Sequence, residues 1–393
     1  MIVRQFLQWV RSAPAAERVD AASALARAYL YSDLTSNDRA AVECTLIMLL
    51  DDQSPKVREA LARTLASSES SPPAVILGLA ADQPEVSRWV LEHSPLLVDA
   101  ELVDLVATGS PEIGAAIANR ADLPASVSAA VAEVGAAEAC LVLVENPQAA
   151  IAPFSLDRIV ARFGHLAAIR EALLAREDLP AATHQALVAK LSETLADFVA
   201  AREWLETDRA VRITREACEK ATVTLAAVSP PGETGPLIRH LRQSGQLTAG
   251  LILRALLSGN IEFFEQALAE LSDLPFGRVS ALVHDRRGTS FRALYERAGL
   301  PASAYLAFRE AIEAMREGGF VDDIGGATRL RRRMVERVLT RCADEAILDI
   351  EPLLMLLRRF VAEAAREEAR MFCQELAGEG ELEAPYELER VAA

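Results

Sequence analysis

The side chains of this 393-residue chain that could do chemistry are scattered rather than gathered. The five histidines, at 93, 165, 184, 240 and 284, form no HExxH pair and read as helix-end or surface imidazoles rather than metal ligands. The five cysteines, at 44, 140, 218, 342 and 373, form no CxxC pair. An odd, dispersed set suits a reducing compartment better than a disulfide framework. Cys44 and Cys140 fall in apolar helical patterns and are expected to be buried small hydrophobes. The acid pairs Asp51/Asp52 and Asp322/Asp323 could serve proton transfer. Adjacent carboxylates at helix starts, however, read first as caps in a favourable dipole position. There is no GxSxG elbow and no Walker A pattern, and Gly232-Glu233-Thr234-Gly235 reads as a turn. The expectation is a chain that is not an enzyme and needs no cofactor or metal.

Two basic clusters are more specific. In "HDRRGTS" (284–290), His284, Arg286 and Arg287 precede a helix expected to start near Ser290, with Arg292 in its first turn. Basic side chains at a helix N-terminus suit an anion. The plainer reading is a solvated turn with Gly288 as a stop and Thr289 or Ser290 as a cap. Further on, Arg329, Arg333, Arg337 and Arg341 recur every four residues, opposite an apolar face of Leu330, Met334, Val338 and Cys342. That stripe suits an acidic partner, a phosphate or the chain's own acidic tail, against the plainer reading of a solvated face. The candidate partner- or anion-binding residues are therefore Arg286, Arg287, Arg292, Arg329, Arg333 and Arg337. Phe263, Phe264 and Tyr295 are either anchors on that surface or core; helical spacing favours core.

The elements that must position these residues are helical. Half the residues are hydrophobic and only 5% are aromatic. Ala and Leu, both strong helix formers, dominate, and sustained period-two alternation is absent. The formal net charge of -16 repels nucleic acid and anionic membrane surfaces. Aromatics and basic residues do not recur together as a nucleic-acid groove requires, so nucleic acid is not an expected partner. No run of about 18 apolar residues exists to span a membrane, and the N-terminal stretch is too polar for a signal peptide. The expected location is cytoplasmic.

The most patterned stretch is "DDQSPKVREALARTLA" (51–66). Pro55 suits the first turn of a helix, and Val57, Leu61 and Leu65 then recur at i, i+4, i+8. With the apolar helix before it, the unit is an αα-hairpin. Turns with Pro84, Pro111, Pro147 and Pro180 echo it at intervals near 30 residues, the signature of a degenerate two-helix repeat. A single hairpin cannot bury its apolar face, but a stack can, so an all-α solenoid is expected. Four Leu-Pro turns, ending at Pro124, Pro180, Pro275 and Pro301, punctuate the same array.

Residues 52–61, with Asp52, Pro55, Val57, Arg58, Ala60 and Leu61, resemble the HEAT repeat. The resemblance implies that Asp52 and Arg58 belong to a polar ladder between successive hairpins. Ser87 and Gly114 stand at the Arg position in later copies and break the pattern. Residues 237–315 resemble a bacterial, alphaproteobacterial-type family known only as a domain of unknown function. The matching features are Gly245-Gln246-Leu247-Thr248, Leu253-Arg254-Ala255-Leu256, Phe263-Phe264-Glu265, Arg278-Val279, Ala293-Leu294-Tyr295 and Ala298-Gly299-Leu300-Pro301. That resemblance implies HEAT-like helices and supplies no activity.

The expected organisation is a HEAT-like array over 1–228, a break at "VSPPGETGPL" (228–237), a family-like region over 237–317, C-terminal helices over 327–373, and an acidic tail over 374–393 that frays. The functional expectation is a non-catalytic scaffold or adaptor that binds a protein partner on a curved surface. One alternative is a sensor holding a phosphorylated or nucleotide ligand in an Arg-lined cleft; the weaker one is an unrecognised enzyme.

Overall fold

The computed structural model describes residues 9–10, 12–285, 289–316, 330–344 and 351–382, with side chains for all of these except 289, 344 and 375–382. Every regular element among them is a helix. No helix among them is long and apolar enough to cross a membrane. The chain forms two compact units, Met1–Leu179 and Pro180–Ala393.

The first unit is built from short helices: α1 (Ala15–Tyr31), α2 (Ser36–Leu49), α3 (Pro55–Leu65), α4 (Pro73–Ala80), α5 (Pro84–His93), α6 (Asp99–Thr108), α7 (Pro111–Ala118), α8 (Ala125–Val134), α9 (Ala137–Glu145), α10 (Pro153–Phe163) and α11 (Ala167–Leu174). Proline opens α3, α4, α5, α7 and α10, where its missing N–H costs nothing and its fixed φ favours the helix. Pro147 departs from this pattern and lies in a turn, with α10 starting at Pro153. Alternate helices pack on one another: α1 on α3, α3 on α5, α5 on α7, α7 on α9 and α9 on α11, with α6 on α8 and α8 on α10 beside them. Val57, Leu61 and Leu65 of α3 are fully buried, as the i, i+4, i+8 spacing requires.

Forked Arg–Asp pairs join successive turns, and the first of them involves Arg18, which the sequence did not single out. Arg18 of α1 donates from Nε and Nη2 to Asp52, both at 2.9 Å. Arg58 of α3 donates in the same forked way to Asp82, at 2.5 and 3.0 Å, and its third nitrogen donates to the Asp52 carbonyl. Asp52 is not a helix cap. Its Oδ1 accepts the Ser54 N–H at 2.8 Å and closes the turn before α3. Burial of the Asp52 carboxyl opposes ionisation, but its bonds to Arg18 and Ser54 and the charges of Arg18 and Arg58 outweigh this and hold it below the usual carboxylate range.

Ser87 and Gly114 carry no guanidinium and end these pairs. Ser87 is fully buried in α5, and Gly114 lies close against α9, where an added Cβ would stand 3.3 Å from the Ala139 Cβ. A different device takes over. Arg120 donates to the carbonyls of Leu91 and Ser94 at the end of α5, and Asn146 to those of Ala118 and Arg120 at the end of α7. Arg162 does the same at the end of α8, and Arg176 at the end of α9. Each satisfies orphan carbonyls at the negative end of a helix dipole.

The second unit contains α12 (Ala181–Ala201), α13 (Thr207–Val228), α14 (Thr234–Gln243), α15 (Ala249–Leu257), α16 (Ile261–Ser272), α17 (Phe276–Val283), α18 (Thr289–Arg297), α19 (Tyr305–Arg316), α20 (Arg332–Asp344) and α21 (Glu351–Leu382). Residues 228–237 lie inside this unit: 229–233 form the short turn between α13 and α14, where the Glu233 carboxylate accepts the Ala181 N–H at 3.2 Å, and 234–237 already belong to α14. The chain therefore divides at 179/180 instead. The core is centred on α15, α16 and α19, with Phe263, Phe264, Tyr295 and Phe308 fully buried. The expected fraying from residue 374 is not seen at that point: α21 runs on to Leu382, and 383–393 lie outside the described residues.

Candidate functional site

Three of the six arginines singled out by sequence, Arg286, Arg287 and Arg329, lie outside the described residues. Arg292 is exposed on α18 but committed locally: its Nε donates to Glu296 one turn on at 3.0 Å, and its guanidinium lies 5.7 Å from the Tyr305 ring centre. Arg333 of α20 is exposed and Arg337 half-buried and engaged, while Met334, Val338 and Cys342 are fully buried on the opposite face. The neighbouring Arg332, which the four-residue spacing passed over, bridges Glu336 and Glu368 of α21. This ion pair between α20 and α21 thus runs through an arginine beside that stripe rather than one of its members. Phe263, Phe264 and Tyr295 are core; the Tyr295 hydroxyl donates to the Pro301 carbonyl at 2.7 Å. The expectation that Cys44 is buried is not met: it is exposed, because it sits on the outer side of α2, away from Val42, Thr45, Leu46 and Leu49. Cys140 is buried as expected, and burial pushes its thiol up to about 11 despite the charge of Arg162.

The features that sequence reasoning missed surround the α12–α13 hairpin. Both helices exceed 20 residues, roughly twice the length of most helices in the chain. The far half of α12 carries Leu191, Leu195 and Phe198 at i, i+4, i+7, exposed to 39%, 47% and 46%. The stripe reaches the tip, where Trp204, 63% exposed, meets Phe198 edge-on at 5.8 Å. Arg202 stacks on both rings, 4.8 and 5.7 Å from their centres. Glu203 adopts φ 55°, which turns the chain tightly enough to bring Trp204 back onto Phe198. On the opposite side of α12, Ala189, Ser192 and Ala196 line a groove of about 480 Å³ together with Cys218 and Glu219 of α13 and Thr248. Burial pushes the Glu219 carboxyl up, against the charges of Arg254 and Arg215, while Thr248 Oγ1 lies 3.5 Å away.

A second cavity, of about 380 Å³, opens between α13, α15 and α21. Arg254, only 3% exposed, is its floor. Its Nη1 donates to both oxygens of Glu363, at 2.8 and 2.9 Å, and its guanidinium lies 4.5 Å over the Phe360 ring. Its Nε has no hydrogen-bond partner. Lys220 of α13 bridges Glu363 and Glu367, and Arg359 of α21 pairs with Glu216. One signal for this cavity was legible: a lone Arg inside the apolar run Leu251–Leu257 must be paired or stacked when buried. Its partner was not legible, because Glu363 lies 109 residues away. Among the described residues no group of three His, Cys, Asp or Glu side chains could hold a metal ion.

A model of the family described as an uncharacterised protein conserved in bacteria (DUF2336) matches residues 86–347, about two thirds of the chain. The match takes in the hairpin and Arg254 and ends before α21. No curated protein and no solved structure matches.

Proposed function

The chain belongs to that bacterial family, and we propose that it is a non-catalytic adaptor whose α12–α13 hairpin docks a helix of another protein. The observation that carries this reading is the exposed Leu191–Leu195–Phe198 stripe and its Trp204 tip. Apolar side chains singly exposed are ordinary, but three at helical spacing on one face, ending in an aromatic pair, form the contiguous patch typical of a helix-docking surface. Trp and Phe anchors supply large contact area at low entropic cost. The first unit fits the same reading as a support: we take its alternate-helix packing as a HEAT-like solenoid, in which the Arg18–Asp52 and Arg58–Asp82 rungs fix how one hairpin stacks on the next.

The test is co-purification of the full-length chain with its bound partner, comparing the native sequence with the Leu195→Asp/Phe198→Asp variant. Both residues are half in solvent, so the variant should keep the native melting temperature within about 2 °C and lose the partner. Retention of the partner at native levels would refute the hairpin as the docking element.

A further inference from the structure

The cavity between α13, α15 and α21 collects five cations, Lys220, Arg254, Arg359, Arg366 and Arg370, against three carboxylates, Glu216, Glu363 and Glu367. That local excess of two positive charges stands in a chain of net charge -16. Arg359, Glu363, Arg366 and Arg370 recur at i, i+4, i+7 and i+11, so α21 presents them along one face over roughly 16 Å. Arg366 and Arg370 form no ion pair among the described residues. At the floor, the buried Arg254 keeps an Nε donor without an acceptor. Buried guanidinium donors are ordinarily satisfied, so Arg254 is one acceptor short, and Arg366 and Arg370 line the same cavity without an ion pair among the described residues.

We propose that this cavity binds a small-molecule polyanion carrying at least two phosphate groups, with Arg366 and Arg370 at the rim and Arg254 and Lys220 at the floor. A diphosphate suits the site better than a single phosphate because the cations are strung along a helix face rather than focused on one point. Arginine forks match phosphate oxygens in pairs, and the cavity walls keep those bonds partly out of water. The resident carboxylates act as the competitor. Glu367 holds Lys220 and Glu363 holds Arg254, so the ligand must take over part of these bonds. The site is separate from the apolar stripe of α12, and the proposal does not depend on the adaptor reading.

The experiment is calorimetric titration of the full-length protein with inorganic pyrophosphate, with orthophosphate and with sodium chloride at matched ionic strength as comparisons. Saturable binding of pyrophosphate, at least tenfold tighter than orthophosphate, is expected. The Arg366→Ala/Arg370→Ala variant, changed only at exposed positions, should weaken pyrophosphate binding at least tenfold. Glu367→Gln should tighten it severalfold by removing one of the two carboxylates that hold Lys220; a merely structural ion pair would not yield that gain. Heat equal to that of sodium chloride, unchanged affinity in the double variant, or weakened binding in Glu367→Gln would each overturn the proposal.

Discussion

Arg58 reaches across two turns at once: its Nε and Nη2 grip the Asp82 carboxylate at 2.5 and 3.0 Å while its Nη1 holds the backbone carbonyl of Asp52 at 2.5 Å. Asp52 in turn receives the fork of Arg18. One side chain thereby ties the turn before α3 to the turn before α5, with both partners mostly shielded from water.

Removing Arg58 leaves the Asp82 carboxylate and the Asp52 carbonyl short of donors. Arg58→Met, which retains the aliphatic stem, should cost about 2–3 kcal/mol in denaturant unfolding, since hydrogen bonds to charged groups contribute about 1.5–3 kcal/mol. In a double-mutant cycle with Asp82→Asn, the two losses should be clearly less than additive. Additive losses would mean that the pair is not coupled.

The depressed ionisation of Asp52 has a definite consequence in acid. The folded protein holds this carboxyl below its unfolded value, so its contribution is fully present above the ordinary aspartate value near ~4 and is lost as pH falls through the folded value. Asp52→Asn should therefore lower stability at neutral pH and flatten its decline as pH falls below the ordinary aspartate value, read by unfolding curves at each pH.

Glu219 has the opposite sign. Burial raises its ionisation above the ordinary range. The folded state then holds a proton that the unfolded state has released, and stability falls as pH rises from the unfolded value through the folded one. Glu219→Gln keeps an acceptor for Thr248 and removes this penalty, so it should raise the melting temperature at pH 7 and leave it unchanged at pH 4. Equal shifts at the two values would contradict the assignment.

Gly259 ends α15 at φ +82°, and a Cβ there would stand 2.5 Å from the Arg331 guanidinium that packs against it. Gly259→Ala must strain the backbone and displace Arg331, whose own N–H bonds the Leu257 carbonyl. A loss of about 1–3 kcal/mol is expected. Gly235→Ala, with ordinary φ and open space around it, should be within about 0.5 kcal/mol of native.

Much of the fold was legible because it rests on local chemistry. Prolines at 55, 84 and 111 opened helices where their spacing said they would, and the Met334–Val338–Cys342 face is buried as its period required. Asp52 and Arg58 could be placed in a ladder, but Arg18 could not, since nothing near it in sequence marks a partner 34 residues on. The candidate site was less legible for the same reason. "LLRRFVAEAAREEAR" reads as a solvated charged helix until Lys220 and Arg254 are seen to face it. The apolar positions of α12 have the spacing of any core helix; only the exposure of Leu195 and Phe198 distinguishes a docking face from a packed one. The interval of 228–237 misled because a Pro/Gly cluster marks a turn and not the size of the units it joins.

The adaptor reading is tested most directly by photo-cross-linking in living cells, with a benzoylphenylalanine placed at position 195 or 198 of the full-length chain and, as control, at the exposed Glu69 of the first unit. The account predicts a discrete adduct of one partner protein from 195 and from 198, and none from 69. No adduct from the hairpin, adducts of equal yield from 69, or a species of only twice the chain's own mass would contradict it.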